Sequence, residues 1–151
     1  MTRFDELSLQ YMAGFTDGEG CISLPSAGSN YYRKGSCKKY YYISPKVVIA
    51  NTRRDVLQKF KNQFGGYISP GKAANSKWKP VFSYQLEHKR ALTFIKAIYP
   101  FLVLKRKQAE LIFKYYKVSN GRTKRAFTEY RLNRLRSLKM EMHVLNKRGA
   151  I

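Results

Sequence analysis

Acidic residues are scarce in this chain of 151 residues, which has 9 Asp and Glu against 30 Lys and Arg and a formal net charge of +21. Such an excess repels itself in a compact monomer unless a polyanion neutralises it. Nucleic acid is therefore the leading expected partner, with an anionic membrane surface as the alternative. No run of about 20 apolar residues is present, so we expect no membrane-spanning helix and no membrane partner.

Cysteine and histidine are also scarce, with two of each in the chain. Two cysteines cannot build a disulfide framework, and four acids among the first 20 residues argue against a secretory signal. We therefore expect an intracellular protein (cytoplasm, nucleoid or organelle) that is not secreted, with both thiols reduced. The cysteines and histidines lack the paired spacing of a zinc site, and no Ser-His-Asp spacing is present.

Hydrophobic and aromatic residues make up 44% and 15% of the chain, which predicts a folded protein, and the length predicts a single domain over 1–151. The hydrophobic patterns predict an α+β fold in the order αββαββα, followed by further helices. Strands are expected at 21–26, 39–51, 67–69 and 81–87, with a loop at 28–36. They should pair as two hairpins in an antiparallel sheet whose apolar face lies under the helices.

Local signals predict where several helices begin and end. Asp5 or Ser8 would cap the first helix, and the last helix would start at Thr128. The stretch Thr52 to Asp55 fits a capping box with Thr52 as the cap. Pro45 indicates an edge or a bulge within the second strand.

The stretch Met12 to Gly20, MAGFTDGEG, combines an apolar helix with a Gly-Glu-Gly ending. Glycine ends a helix readily, which places the Glu19 carboxylate and the Gly18 carbonyl at the negative end of the helix dipole. Hard oxygens at negative potential suit Mg²⁺, so we predict Glu19 as a metal ligand assisted by the Gly18 carbonyl. For Asp17 we favour a structural role over direct ligation: a helix-end acid that hydrogen-bonds locally or steadies a helix pair.

This stretch resembles the motif of the LAGLIDADG homing endonucleases, which it matches letter for letter at Ala13, Gly14, Asp17 and Gly20. The resemblance covers roughly the first two thirds of the chain. It implies the αββαββα LAGLIDADG fold with a twisted antiparallel DNA-binding sheet, a core over 6–118 and a C-terminal helical extension over 119–151. It also implies a site-specific, metal-dependent endonuclease, typically encoded within an intron or intein.

The resemblance assigns catalytic roles to four positions. Glu19 would bind the metal, and Lys105 matches the lysine of the family that lies near the active-site water and scissile phosphate, with Lys107 as its rival. Asn51 matches the polar residue that ends the second strand, or only caps the next helix. The nearby basic residue would be Arg53, with Arg54 as the alternative.

The single motif copy implies a homodimer joined through the motif helix at Ala13, Gly14 and Asp17. The dimer would hold two or more Mg²⁺ ions and cut both strands of a long, near-palindromic DNA site. Alternating strand positions and the cations of the hairpin loops would contact the duplex. These residues are Ser23, Asn30, Tyr32, Arg33, Lys34, Lys38, Lys39, Tyr40, Tyr42, Ser44, Lys46, Ser69, Lys72, Lys77, Lys79, Ser83 and Gln85. A one-residue shift of the last strand would exchange Ser83 and Gln85 for Phe82 and Tyr84.

Two other functions fit the same composition. A LAGLIDADG relative can be an intron RNA maturase or a non-cleaving DNA- or RNA-binding protein, so RNA is a possible partner. A basic structural RNA-binding protein, such as a ribosomal component, would be monomeric and independent of divalent metal.

Overall fold

A computed structural model describes residues 6–71, 75–119 and 128–147, with the backbone alone described for residues 27, 29–33 and 38–41. Its elements are α1 (Leu9–Glu19), β1 (Gly20–Ser23), β2 (Ser26–Arg33), β3 (Ser36–Ile43), β4 (Lys46–Asn51), α2 (Arg54–Phe64), β5 (Tyr67–Pro70), β6 (Phe82–Glu87), α3 (His88–Ile98), α4 (Arg106–Ser119) and α5 (Glu129–Asn146). A 3-10 turn over Tyr99–Phe101 links α3 to the segment that leads into α4.

The central sheet is antiparallel and has the strand order β1-β4-β6-β5, which confirms the predicted pairing into two hairpins. Alternation along the strands buries Ile22, Val47, Ile49, Tyr84 and Leu86 beneath the helices. The opposite face of the sheet, hereafter the outer face, carries the intervening residues. The register of the last strand is therefore the one first predicted, with Tyr84 in the core and Ser83 and Gln85 on the outer face.

The segment from Ser26 to Ile43 differs from the prediction. Instead of a loop at 28–36 and one strand over 39–51, it forms a two-stranded ribbon of β2 and β3. Pairing continues in the same register from Ser23 opposite Lys46 to Ser26 opposite Ile43. The ribbon turns at Lys34 and Gly35, whose φ angles of 48° and 76° are those of a two-residue hairpin turn.

The ladder is interrupted by two prolines, Pro25 between β1 and β2 and Pro45 between β3 and β4. Proline has no N–H, so Pro25 and Pro45 cannot donate to the strands beside them. Around Pro25 one bond of the ladder survives, from the Ser44 N–H to the Pro25 carbonyl at 3.2 Å. This interruption separates β1 from β2 and β3 from β4.

Helix ends agree with the prediction at Ser8 and Thr128 and differ at one place. Ser8 caps α1 by accepting from the Tyr11 N–H, and Thr128 caps α5. Gly65, at φ 72°, ends α2. The predicted capping box at Thr52 is wrong, because Arg53 occupies the N-cap of α2 with no side-chain cap. Asn51, not Thr52, makes the local hydrogen bond there, because its Oδ1 accepts the Arg53 N–H.

The C-terminal helices α4 and α5 pack on each other and on β1. Leu135, Leu138 and Met142 of α5 lie in the core. Among the described residues, no helix is long and apolar enough to cross a membrane.

Candidate active site

Asp17, in the last turn of α1, is buried with 8% of its surface exposed. Its Oδ2 accepts the N–H groups of Val103 at 2.7 Å and Leu104 at 3.2 Å, and its Oδ1 accepts that of Lys105 at 3.0 Å. These donors belong to the segment just before α4. The carboxylate thus ties the end of α1 to the start of α4, so it is committed within its own chain.

This tie places Lys105 at the C-terminal end of α1. Its ammonium donates to the main-chain carbonyl of Asp17, and the side chain is half-buried. Lys107 instead lines a groove between α4 and α5. The geometry therefore favours Lys105 over Lys107 as the lysine of this site.

Glu19 is the last residue of α1, and its side chain is exposed. Beyond it Gly20 turns the chain directly into β1, with its N–H bonded to the Thr16 carbonyl. A Cβ at Gly20 would lie 2.7 Å from that carbonyl oxygen, so only glycine fits there. The abrupt turn leaves Glu19 beside the last carbonyls of α1, at the negative end of the helix dipole.

The oxygens at this helix end have the chemistry that a hard divalent cation requires, since Mg²⁺ binds carboxylate, carbonyl and water oxygens. The donors would be the Glu19 carboxylate and the Gly18 carbonyl. The described residues contain no group of three or more His, Cys, Asp or Glu that could hold a metal. One chain therefore offers a partial ligand set, which fits a cation only when further oxygens come from outside the chain.

Cys21 lies next to this helix end on the outer face, a neighbour that the sequence did not single out. Partial desolvation raises the pKa of the Cys21 thiol, and the charge of Lys105 opposes that shift. Only the alternation of β1 could have indicated Cys21 from sequence.

Asn51 ends β4 on the side of the sheet nearest to the end of α1, since Gly20 pairs with Ile49. Its Oδ1 accepts the Arg53 N–H at 2.8 Å. This bond is not the helix cap of the alternative prediction, because Arg53 is itself the N-cap of α2 and no side chain caps that helix. The Arg53 guanidinium forms an exposed ion pair with Asp55, with 2.6 Å between Nη2 and Oδ2. The hydrogen bond and charge of Arg53 lower the pKa of Asp55 to about 2.

The outer face carries a connected set of polar side chains. The Tyr67 hydroxyl donates to Gln85 Oε1 at 2.8 Å, and Gln85 Nε2 donates to Ser69 Oγ at 3.3 Å. Lys46 forms an ion pair with Glu87 at 3.3 Å. Sequence reasoning missed Tyr67 and Glu87, although the period-two alternation of β5 and β6 places both on this face. Of the predicted DNA contacts, the outer face holds Ser23, Lys46, Ser69, Ser83 and Gln85.

The remaining predicted DNA contacts have mixed outcomes. Lys34, Lys77 and Lys79 are exposed in turns or loops, and Tyr42 is half-buried. The prediction of Ser44 as a DNA contact is wrong. Ser44 is 7% exposed at the interruption of the ribbon, where the chain packs against the helices, so it presents little surface to a ligand. The other predictions lie outside the described residues or side chains; they are Asn30, Tyr32, Arg33, Lys38, Lys39, Tyr40 and Lys72.

Ala13 requires a correction as a predicted dimer contact. It is fully buried in the core of its own chain, because it lies on the inward face of α1. Gly14 and Gly18 are exposed instead, and a Cβ at either would meet nothing within 4 Å. The face of α1 that is open to a second helix is therefore the Gly14–Gly18 face.

The fold and site together define a class: a basic α+β protein with an acidic helix terminus beside an antiparallel sheet. The family model described as "LAGLIDADG endonuclease" matches residues 12–118. The chain therefore belongs to the LAGLIDADG endonuclease family, as the motif predicted. The α5 helix lies outside the matched region.

Individual relatives agree with the family match. The chain is 30% identical over 115 residues to the DNA endonuclease I-CreI of Chlamydomonas reinhardtii, an alignment that covers 75% of this chain and 64% of that relative's length. The fold is similar to the I-CvuI homing endonuclease, crystallised with a DNA target and Mg, at a TM-score of 0.72, 21% identity, and 97% and 87% of the two chains. I-SmaMI, bound to an uncleaved DNA target with calcium ions, matches at a TM-score of 0.63 and 26% identity. That match covers 91% of this chain and 45% of the I-SmaMI chain.

Proposed function

We propose that this protein is a site-specific endonuclease that hydrolyses phosphodiester bonds in double-stranded DNA as a homodimer with divalent metal. The observation that carries this proposal is the end of α1, where Glu19 is exposed and Lys105 is bonded to both the carboxylate and the main-chain carbonyl of Asp17, two residues before Glu19. The proposed domain is the whole chain, with the endonuclease core over 6–118 and a helical extension over 119–151. The DNA and metal-ion complexes of I-CvuI and I-SmaMI support the choice of substrate and cofactor.

Each residue of the site has a distinct proposed role. Glu19 and the Gly18 carbonyl hold Mg²⁺; when bound, such an ion lowers the pKa of a coordinated water and offsets charge on the leaving oxygen. Lys105 adds positive charge close to the scissile phosphate and water. Asp17 positions Lys105 through its hydrogen bonds to the 103–105 backbone. Asn51 and Arg53 lie at the nearby end of β4, where they would orient water and phosphate.

The chemistry can be tested with a random duplex library. Incubation with Mg²⁺ should enrich cleaved, near-palindromic sites, and EDTA should prevent the cleavage. Binding to intron RNA with no cutting of any duplex would instead favour the maturase alternative.

The Gly14–Gly18 face provides a prediction about assembly. Gly14→Leu should convert the proposed dimer to a monomer, because the added side chain blocks close helix approach. The change should not damage the monomer, since open space surrounds that position and leucine favours helix by roughly 1 kcal/mol over glycine. Sedimentation velocity and thermal melting measure the two effects, with Gly14→Ala as the graded control. A parent protein that sediments as a monomer, both free and with DNA bound, would exclude the two-fold assembly.

Affinity should depend steeply on salt, because phosphate contacts by Lys and Arg release counterions. If a dimer neutralises about 10 phosphates, log K should fall with log salt at a slope of roughly −9. Fluorescence anisotropy on a labelled duplex between low and physiological salt measures the slope. A slope near −2 would mean that the cations of the turns and outer face point away from DNA.

A further inference from the structure

The β2–β3 pair, hereafter the outer ribbon, extends beyond the four-stranded sheet from the interruption at Pro25 and Pro45. By the register of the neighbouring strands, Pro25 lies opposite Ser44, and Pro45 lies opposite His88. Each pair can make only the bond that does not require a proline N–H. Those bonds are Ser44 N–H to the Pro25 carbonyl and His88 N–H to the Pro45 carbonyl, both at 3.2 Å. The strands alone therefore hold the outer ribbon weakly at this point.

Side chains from α4 and α5 add bonds at this point. The Tyr115 hydroxyl donates to the Ile43 carbonyl at 2.7 Å. Asn146, the last residue of α5, donates to the Ile22 carbonyl of edge strand β1 at 2.8 Å. The Lys139 ammonium donates to Ser26 Oγ, the first residue of the outer ribbon. Lys139 and Asn146 also line a small cavity of about 170 Å³ between α5 and Pro25.

A further contact comes from the start of α3. His88 has φ 53°, an unusual value for a residue other than glycine. Its ring stacks on that of Tyr42 in β3, with centroids 6.4 Å apart and planes inclined by 21°. The interruption is thus held by the start of α3 as well as by α4 and α5.

We propose that Tyr115 and Lys139 act with Asn146 as a clamp that fixes the angle of the outer ribbon to the sheet. The clamp thereby determines how sharply the outer base pairs of each half-site are distinguished. This inference rests on the proposed DNA-binding function. With 8 residues in β2, the outer ribbon is about 26 Å long, which spans roughly eight base pairs at about 3.4 Å each. A fixed ribbon cannot re-pack around a wrong base pair, so the mismatch keeps its full cost, whereas a loosely held ribbon could adjust and reduce the difference in affinity between correct and incorrect sites.

The test compares matched pairs of variants on duplexes substituted at one base pair at a time. Tyr115→Phe removes only the hydroxyl, and its control is Tyr116→Phe, whose hydroxyl bonds to none of the described residues. Lys139→Met removes one charge next to the outer ribbon, and its control is Lys114→Met, on the groove between α4 and α5.

The clamp variants should weaken discrimination only at the outer base pairs. There the penalty for a wrong base pair, normally about 5- to 150-fold in affinity, should fall to less than about threefold. Discrimination at the central base pairs should not change. The cleavage rate on the parent target at saturating protein should also equal that of the parent protein. Both control variants should discriminate against wrong base pairs as strongly as the parent protein at every position.

A distance measurement without DNA provides a second readout. Spin labels at native Cys37, in β3, and at Ser137→Cys, on the exposed face of α5, report the position of the outer ribbon when Cys21→Ser removes the other thiol. The distance distribution should broaden in Tyr115→Phe and not in Tyr116→Phe.

Two results would overturn the clamp. One is an unchanged base-pair profile in both clamp variants; the other is equal loss at central and outer positions, which would indicate general destabilisation. A parent protein that binds no duplex at all would instead refute the proposed function. The spin-label distances would still show whether the clamp exists.

Discussion

Glu19→Gln should reduce DNA cleavage by at least about a hundredfold, the scale of losing one preorganised electrostatic contact to a transition state. The change keeps the size and shape of the side chain but removes the charge that holds a divalent ion at the end of α1. In a homodimer both copies of the site would lose their carboxylate. Affinity for DNA should survive, because the proposed DNA contacts lie on the outer face and in the ribbon rather than at Glu19.

Gel shift and plasmid cutting on one selected target would separate the two effects. Glu141→Gln is the matched control, because it makes the same change at an exposed position of α5, away from the end of α1. It should cleave at the parent rate. Isothermal titration of the DNA complex with Ca²⁺ should show fewer bound ions for Glu19→Gln than for the parent protein. Glu141→Gln should bind as many ions as the parent. Cleavage by Glu19→Gln at the parent rate would refute the assignment of the metal site to this helix end.

Most of the fold follows from patterns that a single sequence displays. Alternation in β4 and β6 predicted which residues face the core, because one side of an antiparallel sheet is buried and the other is not. The first strand of the outer ribbon was missed because the stretch from Ser26 to Ser36 is rich in glycine, serine and polar residues and shows no apolar alternation. The signals that could have identified it were the paired prolines, Pro25 and Pro45, and the Lys34-Gly35 turn.

The candidate site was predictable where its residues are close in sequence. Gly18, Glu19 and Gly20 form the helix end that the motif predicted, since a helix that turns into a strand over one glycine is a local event. The hydrogen bonds between Asp17 and the 103–105 segment could not be predicted, because 86 or more residues separate the partners. Ala13 was misplaced for a related reason: small size is shared by core and contact positions, and only packing separates them.

The burial of Asp17 leads to the second large expected effect. Asp17→Asn should lower the free energy of unfolding by about 2–4 kcal/mol, because an amide accepts fewer and weaker hydrogen bonds than a carboxylate. For a chain of this length that corresponds to a melting temperature roughly 5–15 °C lower. The amide would place an NH2 donor where one carboxylate oxygen now accepts from the backbone N–H groups of Val103, Leu104 and Lys105, so amide hydrogen exchange in this segment should accelerate.

Asp55→Asn is the matched control, because Asp55 is an exposed acid whose partner is the exposed Arg53 guanidinium. Water replaces such a contact readily, so its melting temperature should stay close to that of the parent. Cleavage by Asp17→Asn, measured well below its melting temperature, should fall because Lys105 is no longer held at the end of α1. Equal melting temperatures and exchange rates in the two variants would mean that the buried carboxylate does not hold the 103–105 segment. A destabilised Asp17→Asn that cleaves at the parent rate would show that Lys105 needs no such support, since the tie would then stabilise the fold without serving the chemistry.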